Sequence, residues 1–355
     1  MKTPAFASLL IVCLFQSQLW AQLPKDSSGV KVGGAVRTNT MFTIYEGQTF
    51  DLPNENRNGI FWDTWRVDVS AISRGVLLTF EYRFYPGFNS HFLKKGFLTY
   101  DLNARSRIEL GVNQVPFGML TYLGNSWWFQ LPYYVGLEDD YDTGLKYRYQ
   151  KDAWTFHAAY YLMAEPRGVS EPSFGNFMSA RYSYDIIPVN GYNGNKERNQ
   201  FNFRAEYNPG KWLAGVSLQT GEVYNSIIDE GVWGFAAAAH AKINLNDHMD
   251  IKLQATHYNY ADVPTDSGQA SNVLQLGAYG FGTYAAASEA SIFSIGLSKT
   301  IEVDWGPIES IEFYEDYSYM LKQGEVEIDG NNYPFEATHH NVLGFLVTAG
   351  NIYAY

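Results

Sequence analysis

The stretch Val76-Leu77-Leu78-Thr79-Phe80-Glu81-Tyr82-Arg83-Phe84-Tyr85 alternates in steps of two. Val76, Leu78, Phe80, Tyr82 and Phe84 fall on one face of an extended chain, and Thr79, Glu81 and Arg83 on the other. An earlier stretch repeats the pattern, with Val30, Val32, Val36, Phe42 and Ile44 set against Lys31, Arg37 and Asn39. A strand that is oily on one side and ionic on the other suits a wall between lipid and water. It does not suit a soluble core.

Residues 1–21 read as a cleaved export signal: Lys2 supplies the positive start, Ala5 to Phe15 an apolar run, and Ala21 the small residue at the cut, with Leu19 two residues before it. The run is too short for a membrane-spanning helix. Cys13, inside it, is the single cysteine, so the mature chain has no thiol. That excludes disulfide frameworks, cysteine-zinc sites and thiol catalysis. No later segment approaches eighteen apolar residues, which excludes a second membrane helix but not membrane strands. Mean hydropathy is only -0.24, while aromatic residues make up 17%, with 27 Tyr and 9 Trp, rings that a bilayer interface collects.

Candidate strands lie at roughly 30–45, 60–72, 76–85, 95–103, 106–114, 141–150, 153–163, 199–207, 212–221, 232–244, 249–260, 272–286, 291–301, 309–320 and 341–355, with 178–186 as another strand or a hairpin arm. Short turns at 73–75, 103–105, 151–152, 208–210 and 246–248 alternate with longer polar stretches at 46–59, 86–94, 115–140, 164–198, 222–231 and 261–271. Short turns at one end and long loops at the other are the asymmetry of outer-membrane barrels, which close with an even strand number. The alternation fails after about residue 300, which points to one miscounted strand. The expectation is an all-β, antiparallel transmembrane barrel of about 16 strands (14–18) over 22–355. A secreted β-sandwich or propeller shares the short strands but turns its apolar face into a core.

Alternation places Lys31, Arg37, Arg66, Arg83, Lys95, Arg107, Lys146, Arg148, Arg204, Lys242 and Lys252 toward the lumen, together with Asp68, Glu81, Asp101, Glu109, Asp142, Glu206 and Asp250. The opposite faces carry almost no charge, as they must where Lys or Arg at the bilayer midplane costs about 2–4 kcal/mol. The net charge of -12 comes largely from stretches outside the strands, such as Glu46, Asp51, Glu55, Glu138, Asp139, Asp140, Asp229, Glu230, Glu325, Glu327 and Asp329. A modestly basic wall favours anions if the wall sets selectivity. Cross-strand pairing with the acids would cancel the bias. Lys31, Arg37, Arg66, Arg83, Arg107, Lys146, Arg148 and Arg204 are the candidate pore-lining bases.

Gly111-Val112-Asn113-Gln114-Val115-Pro116-Phe117-Gly118 follows Arg107 and Glu109. Pro116 removes a ladder donor and Gly118 permits a tight turn, so pairing ends there. The connector that follows carries Trp127, Trp128, Phe129, Tyr133 and Tyr134. In this motif, in Gly144-Leu145-Lys146-Tyr147 and in Phe313-Tyr314-Glu315-Asp316-Tyr317-Ser318, the chain resembles the phosphate-selective porin O and P family. The resemblance implies a passive anion channel of the outer membrane, often selective for phosphate. The 115–140 connector is then a candidate constriction loop, with Pro116, Trp127, Trp128, Tyr133 and Tyr134 as its residues. Its aromatics either offer stacking faces to solutes or simply pack the loop.

Glu138-Asp139-Asp140-Tyr141-Asp142 suits a hard cation by its carboxylates but lacks a ligand-loop spacing, so it reads as a solvated acidic rim. His339 and His340 are adjacent and on a strand would point to opposite faces, so no metal site is expected. An outer-membrane hydrolase would draw on His157, His240 or His257 with Ser217 or Asp262, but no nucleophile-elbow pattern appears. A barrel whose loops bind a partner, without an open pore, shares the other features. The expected partners are outer-membrane lipid and small anionic or hydrophilic solutes. No cofactor and no nucleic acid is expected, the location is the outer membrane of a Gram-negative bacterium, and a homotrimer is among the assemblies left open.

Overall fold

The computed structural model describes residues 28–41, 44–45, 48–49, 59–171, 177–260, 262–328 and 330–355. The expected export signal with Cys13, and Glu46, Asp51, Glu55 and Asp329, lie outside them.

Antiparallel strands dominate the described residues, and the principal sheet has sixteen. Its long members, in chain order, are β1 (Gly29–Met41), β2 (Gly59–Ser73), β3 (Val76–Tyr85), β4 (Ser90–Asn103), β5 (Ser106–Gln114), β6 (Tyr141–Lys151), β7 (Trp154–Ala164), β8 (Asn195–Tyr207), β9 (Trp212–Asn225), β10 (Glu230–Asn246), β11 (Met249–Asn259), β12 (Glu289–Trp305), β13 (Ile308–Gln323) and β14 (Thr338–Ala349). A short β15 (Ile352–Ala354) pairs with β14, and Val169–Ser170 pairs with the start of β4. Each long strand pairs with its neighbours in sequence, the meander of a β-barrel wall. Among the described residues no ladder joins β1 to β14 or β15.

The two faces are inverted relative to a soluble protein. Leu218 and Phe313 stand outward at 57% and 50% exposure, while inward Arg204, Asp316 and Ser318 are at 2%, 0% and 0%. Apolar side chains facing out and polar ones facing in are stable only where lipid bathes the outside. Aromatic rows edge the outer face. Trp154, Tyr207 and Trp212 pack in series at the short-turn end, with ring centroids 4.9 and 5.5 Å apart. Tyr160, Phe201 and Trp233 do so toward the long-loop end, at 4.9 and 6.4 Å. Two such rows are the girdles expected at the two membrane interfaces.

Three sequence expectations change. The segment 272–286 is not a wall strand but a hairpin, Val273–Ala278 with Gly282–Ala287, in a separate three-stranded sheet with Asp185–Ile186. Tyr279 and Gly280 both take positive φ and turn the chain mid-segment, and Leu274 and Leu276 pack against Val135, Ile186 and Val223 instead of facing lipid. Removing it from the wall restores the alternation of long and short connections through the C-terminal hairpin. The run 341–355 divides at Gly350, another positive-φ turn, into β14 and β15. The stretches 86–94 and 222–231 are shorter as loops than their polarity suggested, because β4 begins at Ser90 and β9 extends to Asn225. Of the two readings of 178–186, the loop arm fits: only Asp185–Ile186 is extended, and it pairs in the loop sheet.

The apolar core lies inside the wall at the long-loop end. The 115–140 connector contributes Val115, Phe117, Leu131, Val135 and Leu137, and the wall and the 260–288 loop contribute Tyr161, Tyr258, Leu274 and Leu276.

Candidate functional site

The 115–140 connector leaves β5 at Gln114 and returns at Tyr141, the residue opposite it in the ladder. Both motif glycines have a steric reason. At Gly111, φ is +126° and a Cβ would lie 2.4 Å from the Gly96 carbonyl oxygen; at Gly118, φ is +60° and a Cβ would lie 2.7 Å from Gln254 Oε1. From there the connector crosses the inside of the wall, held by inward side chains of successive strands. The Gly118 N–H donates to Ser217 on β9 at 3.0 Å, and Arg204 on β8 donates to the Gly118 carbonyl at 2.8 Å. The Met119 N–H donates to Gln254 on β11 at 2.8 Å, and Lys252 donates to the Gly124 carbonyl at 3.1 Å. Asn125 places its backbone N–H and its side-chain amide on the two oxygens of Asp316 on β13, each at 2.7 Å. Ser318 donates to Gln130 at 2.8 Å, and the Arg37 guanidinium of β1 sits 4.0 Å from the Trp127 ring centroid.

Sequence alternation brings these wall residues inward but names none of them as an anchor. Ser217, Gln254, Asp316 and Ser318 look like ordinary lumen positions until the connector lies across them.

The candidate constriction residues divide. Pro116 is buried at the start of the crossing. Trp127 and Trp128 stack at 4.5 Å, and Trp128 remains exposed. Tyr133 is buried, stacked on Phe129 at 3.9 Å and edge-on to Tyr182, and Tyr134 packs against Tyr184 and His340. Tyr133 is thereby closed within the loop cap, while Tyr134 stays half-buried at its edge.

Ladder register settles which charges meet. Arg66 lies directly opposite Arg83, Arg107 opposite Arg148, and Lys242 opposite Lys252. Like charges directly opposite are unfavourable, and each pair has an acid beside it. Glu81 takes Arg83 at 2.6 Å, Lys95 at 3.2 Å and Arg66 at 3.4 Å. Asp101 binds Arg107 through two bonds, one at 2.9 Å, and Asp250 holds Lys242 at 3.0 Å. Lys146 bridges Glu109 at 2.9 Å, Arg204 contacts Glu206 at 2.5 Å, and Arg37 pairs with Asp63. Arg148 donates to Gln150 at 2.6 Å, and Lys31 stands exposed near the short-turn end of β1. Cross-strand pairing therefore offsets much of the basic wall.

The acidic run 138–142 is not a solvated rim. Glu138, Asp139, Asp140 and Asp142 are all buried, because the 165–194 and 260–288 loops fold over them. Asp139 is fully engaged, taking Lys94 at 2.9 Å and the Tyr141 and Tyr182 hydroxyls at 3.0 and 2.6 Å. Glu138 accepts the Leu123 N–H at 2.7 Å, and burial, with Asp139 adding repulsion, pushes its carboxyl up to about 8. Burial raises Asp140 and Glu165 well above the usual carboxylate range, with Asp185 repelling both.

Three of the hydrolase candidates, Ser217, His240 and His257, contact other groups. Ser217 holds the connector, and His240 contacts Arg204 and Glu206 at 3.0 and 3.3 Å. His257 meets Ser291 at 3.0 Å beside the outward Phe235 ring, and His157 is buried opposite Arg204 and Arg148.

No protein-family model and no curated protein matches the sequence. Among solved structures, OmpF of Salmonella typhi, determined with daunomycin, is 12% identical, with 92% of this chain and 88% of that chain covered at a TM-score of 0.56. The fold is the porin barrel. The outer membrane channel DcaP of Acinetobacter baumannii is 9% identical, with 90% of each chain covered and a TM-score of 0.46. The anion-selective porin of Comamonas acidovorans is 11% identical, with 90% of this chain and 99% of that chain covered and a TM-score of 0.40. The likeness is to outer-membrane porins in general.

Proposed function

We propose that the protein is a porin of a Gram-negative outer membrane, passing small hydrophilic solutes by diffusion. The observation that carries this reading is the 115–140 connector, gripped from β1, β8, β9, β11, β12 and β13 across the inside of a wall whose outside is apolar. On this reading the loop narrows an aqueous passage through the wall. Charged side chains remain partly open to solvent along it, among them Asp68, Lys95, Asp101 and Lys242, whose side chains keep 29%, 30%, 26% and 32% exposure.

Selectivity on this reading is a mild preference for anions. It arises at the like-charge pairs Arg66–Arg83, where with Lys95 three bases meet the two acids Glu81 and Asp68, and Arg107–Arg148, beside Asp101. Phosphate specificity would need bases free of carboxylates. Here each basic pair carries an acid, so a general channel fits better. Lys31, Arg37, Lys146 and Arg204 contribute little, the last three through neutralising partners.

Reversal potential in a planar bilayer under a KCl gradient tests the reading. A conducting pore with weak anion preference, unaffected by added phosphate, is expected. Strong block by phosphate would restore the narrower selectivity, and no conductance from folded protein would remove the porin.

A further inference from the structure

Five carboxylates from separate parts of the chain converge beneath the loop cap. Asp140 ends the connector, Asp142 opens β6, Glu165 follows β7, Asp185 lies in the loop sheet and Glu197 is near the start of β8. One ligand oxygen from each of Asp140, Asp142 and Asp185 lies within 4.8 Å of the others, the span that two ligands have across a calcium ion bound at about 2.4 Å. Glu165 lies against the Asp185 carboxylate, and Glu197 accepts the Ile186 N–H at 3.1 Å. Arg181, 3.2 Å from Asp185, is the base paired with this group among the described residues. Arg198, nearby, is committed to Glu222 at 2.7 and 2.9 Å.

A further observation points to a ligand. Asp140, Asp142 and Glu165 are 6%, 2% and 1% exposed, and each presents one buried oxygen, Oδ1, Oδ1 and Oε2 respectively, with no hydrogen-bond partner. Their other oxygens are used, as when Glu165 accepts the Ser183 N–H at 2.8 Å and Asp142 the Gln200 amide at 3.1 Å. A cavity of about 20 Å³ beside the cluster is lined by Asp140, Glu197, Gln200 and Tyr260 but by none of Asp142, Asp185 and Glu165, so it adjoins the converging oxygens and does not enclose them.

We infer that Asp140, Asp142 and Asp185, with Glu165 beside them, form a buried site for a hard divalent cation of calcium's size. Oxygen-only donors exclude a preference for soft metals. Four carboxylates exceed the charge of one such ion, which fits tight binding once the ion is enclosed. The site ties the exit of the connector to β6 and to the 165–194 loop, so an ion there fastens the constriction at its root.

The test uses the full chain refolded in detergent and stripped with EGTA. Terbium is the probe, sensitised through Tyr260 and Tyr141, with calcium as competitor. Saturable terbium luminescence displaced by calcium is expected in the wild type, together with a rise of several degrees in unfolding temperature on adding calcium. Asp142→Asn should abolish both, and Glu165→Gln, a milder change at the edge of the site, should weaken affinity while leaving the fold intact. Luminescence that both variants leave unchanged comes from acids elsewhere and overturns the site. So does an unfolding temperature indifferent to calcium and EGTA, which would mean that protons shared among the carboxyls neutralise the cluster.

Discussion

Glu81 on β3 and Asp142 on β6 are equally withdrawn from water, at 2% exposure each, yet their neighbours are opposite in sign. Glu81 sits among Arg66, Arg83 and Lys95, all within 3.4 Å. Asp142 faces Asp140 and Asp185. The wall can interleave charge because register repeats: an acid row, Asp68 opposite Glu81, lies next to a basic row, Arg66 opposite Arg83. The cap has no repeat. Its carboxylates arrive from different segments, and what neutralises them has to come from outside the sequence pattern.

The difference predicts opposite responses to the same chemical change. Glu81→Gln removes the acid that three bases share and should destabilise the barrel by about 3–5 kcal/mol, the usual loss when one partner of a buried ion pair is deleted. Urea or thermal unfolding in detergent measures it. An unchanged midpoint would mean that lumen water already solvates those bases. Asp142→Asn, with divalent cations chelated, should instead stabilise, by on the order of 1–3 kcal/mol, because it removes repulsion between carboxylates a few ångströms apart. Destabilisation in EGTA would show the Gln200 contact to matter more than the repulsion, and the contrast with Glu81 would collapse.

The wall was largely legible in the sequence, and the cap was not. Alternation from Val76 to Tyr85 assigns the two faces without help, because a period of two has only two faces to choose between. Lys146 beside Glu109 and Arg107 beside Asp101 follow once the strands are aligned. Cross-strand register is not in the alternation itself, so the face-to-face pairs Arg66–Arg83 and Arg107–Arg148 stayed hidden. The hairpin at 273–287 shows the opposite failure. Its Val273, Leu274 and Leu276 have the composition of a strand, and only the turn at Tyr279–Gly280 and burial on both faces reveal a loop element. Glu138 to Asp142 read as a surface because carboxylates are almost never buried without partners. Partners such as Lys94 and Tyr182 come from strands and loops roughly 40 residues away in sequence, so no local pattern could supply them.

A smaller effect tests the wall's residual charge. Arg107→Gln removes a base and also frees Asp101 from its two-bond partner, so it should move the reversal potential toward cations by a few millivolts. Arg148→Gln, whose side chain donates to neutral Gln150, should move it less. Absent shifts would place the selectivity elsewhere in the lumen, and equal shifts would mean that the freed Asp101 adds nothing.

The smallest effect concerns a carboxylate of a third kind, neither ringed by bases nor crowded by acids. Asp266, in the 260–288 loop, is half-buried and accepts the N–H groups of Asn193 and Gly194 at 2.8 and 3.0 Å and the Asn225 amide at 2.9 Å. Slight burial opposes its ionisation, but those donors outweigh it and hold its carboxyl below the ordinary value. A carboxyl depressed in the folded state contributes stability that is present above its unfolded pKa, about 3.9, and is lost as pH falls through its folded value. The clasp between the two loops should therefore be complete at neutral pH and through mild acid, and fade only below about pH 4. Its worth is no more than about 1 kcal/mol, because solvent screens it. Amide exchange at Asn193 and Gly194 should quicken in Asp266→Asn at neutral pH and in the wild type only in stronger acid. Faster exchange already at pH 6 in the wild type would mean that the backbone donors do not hold the ionised form.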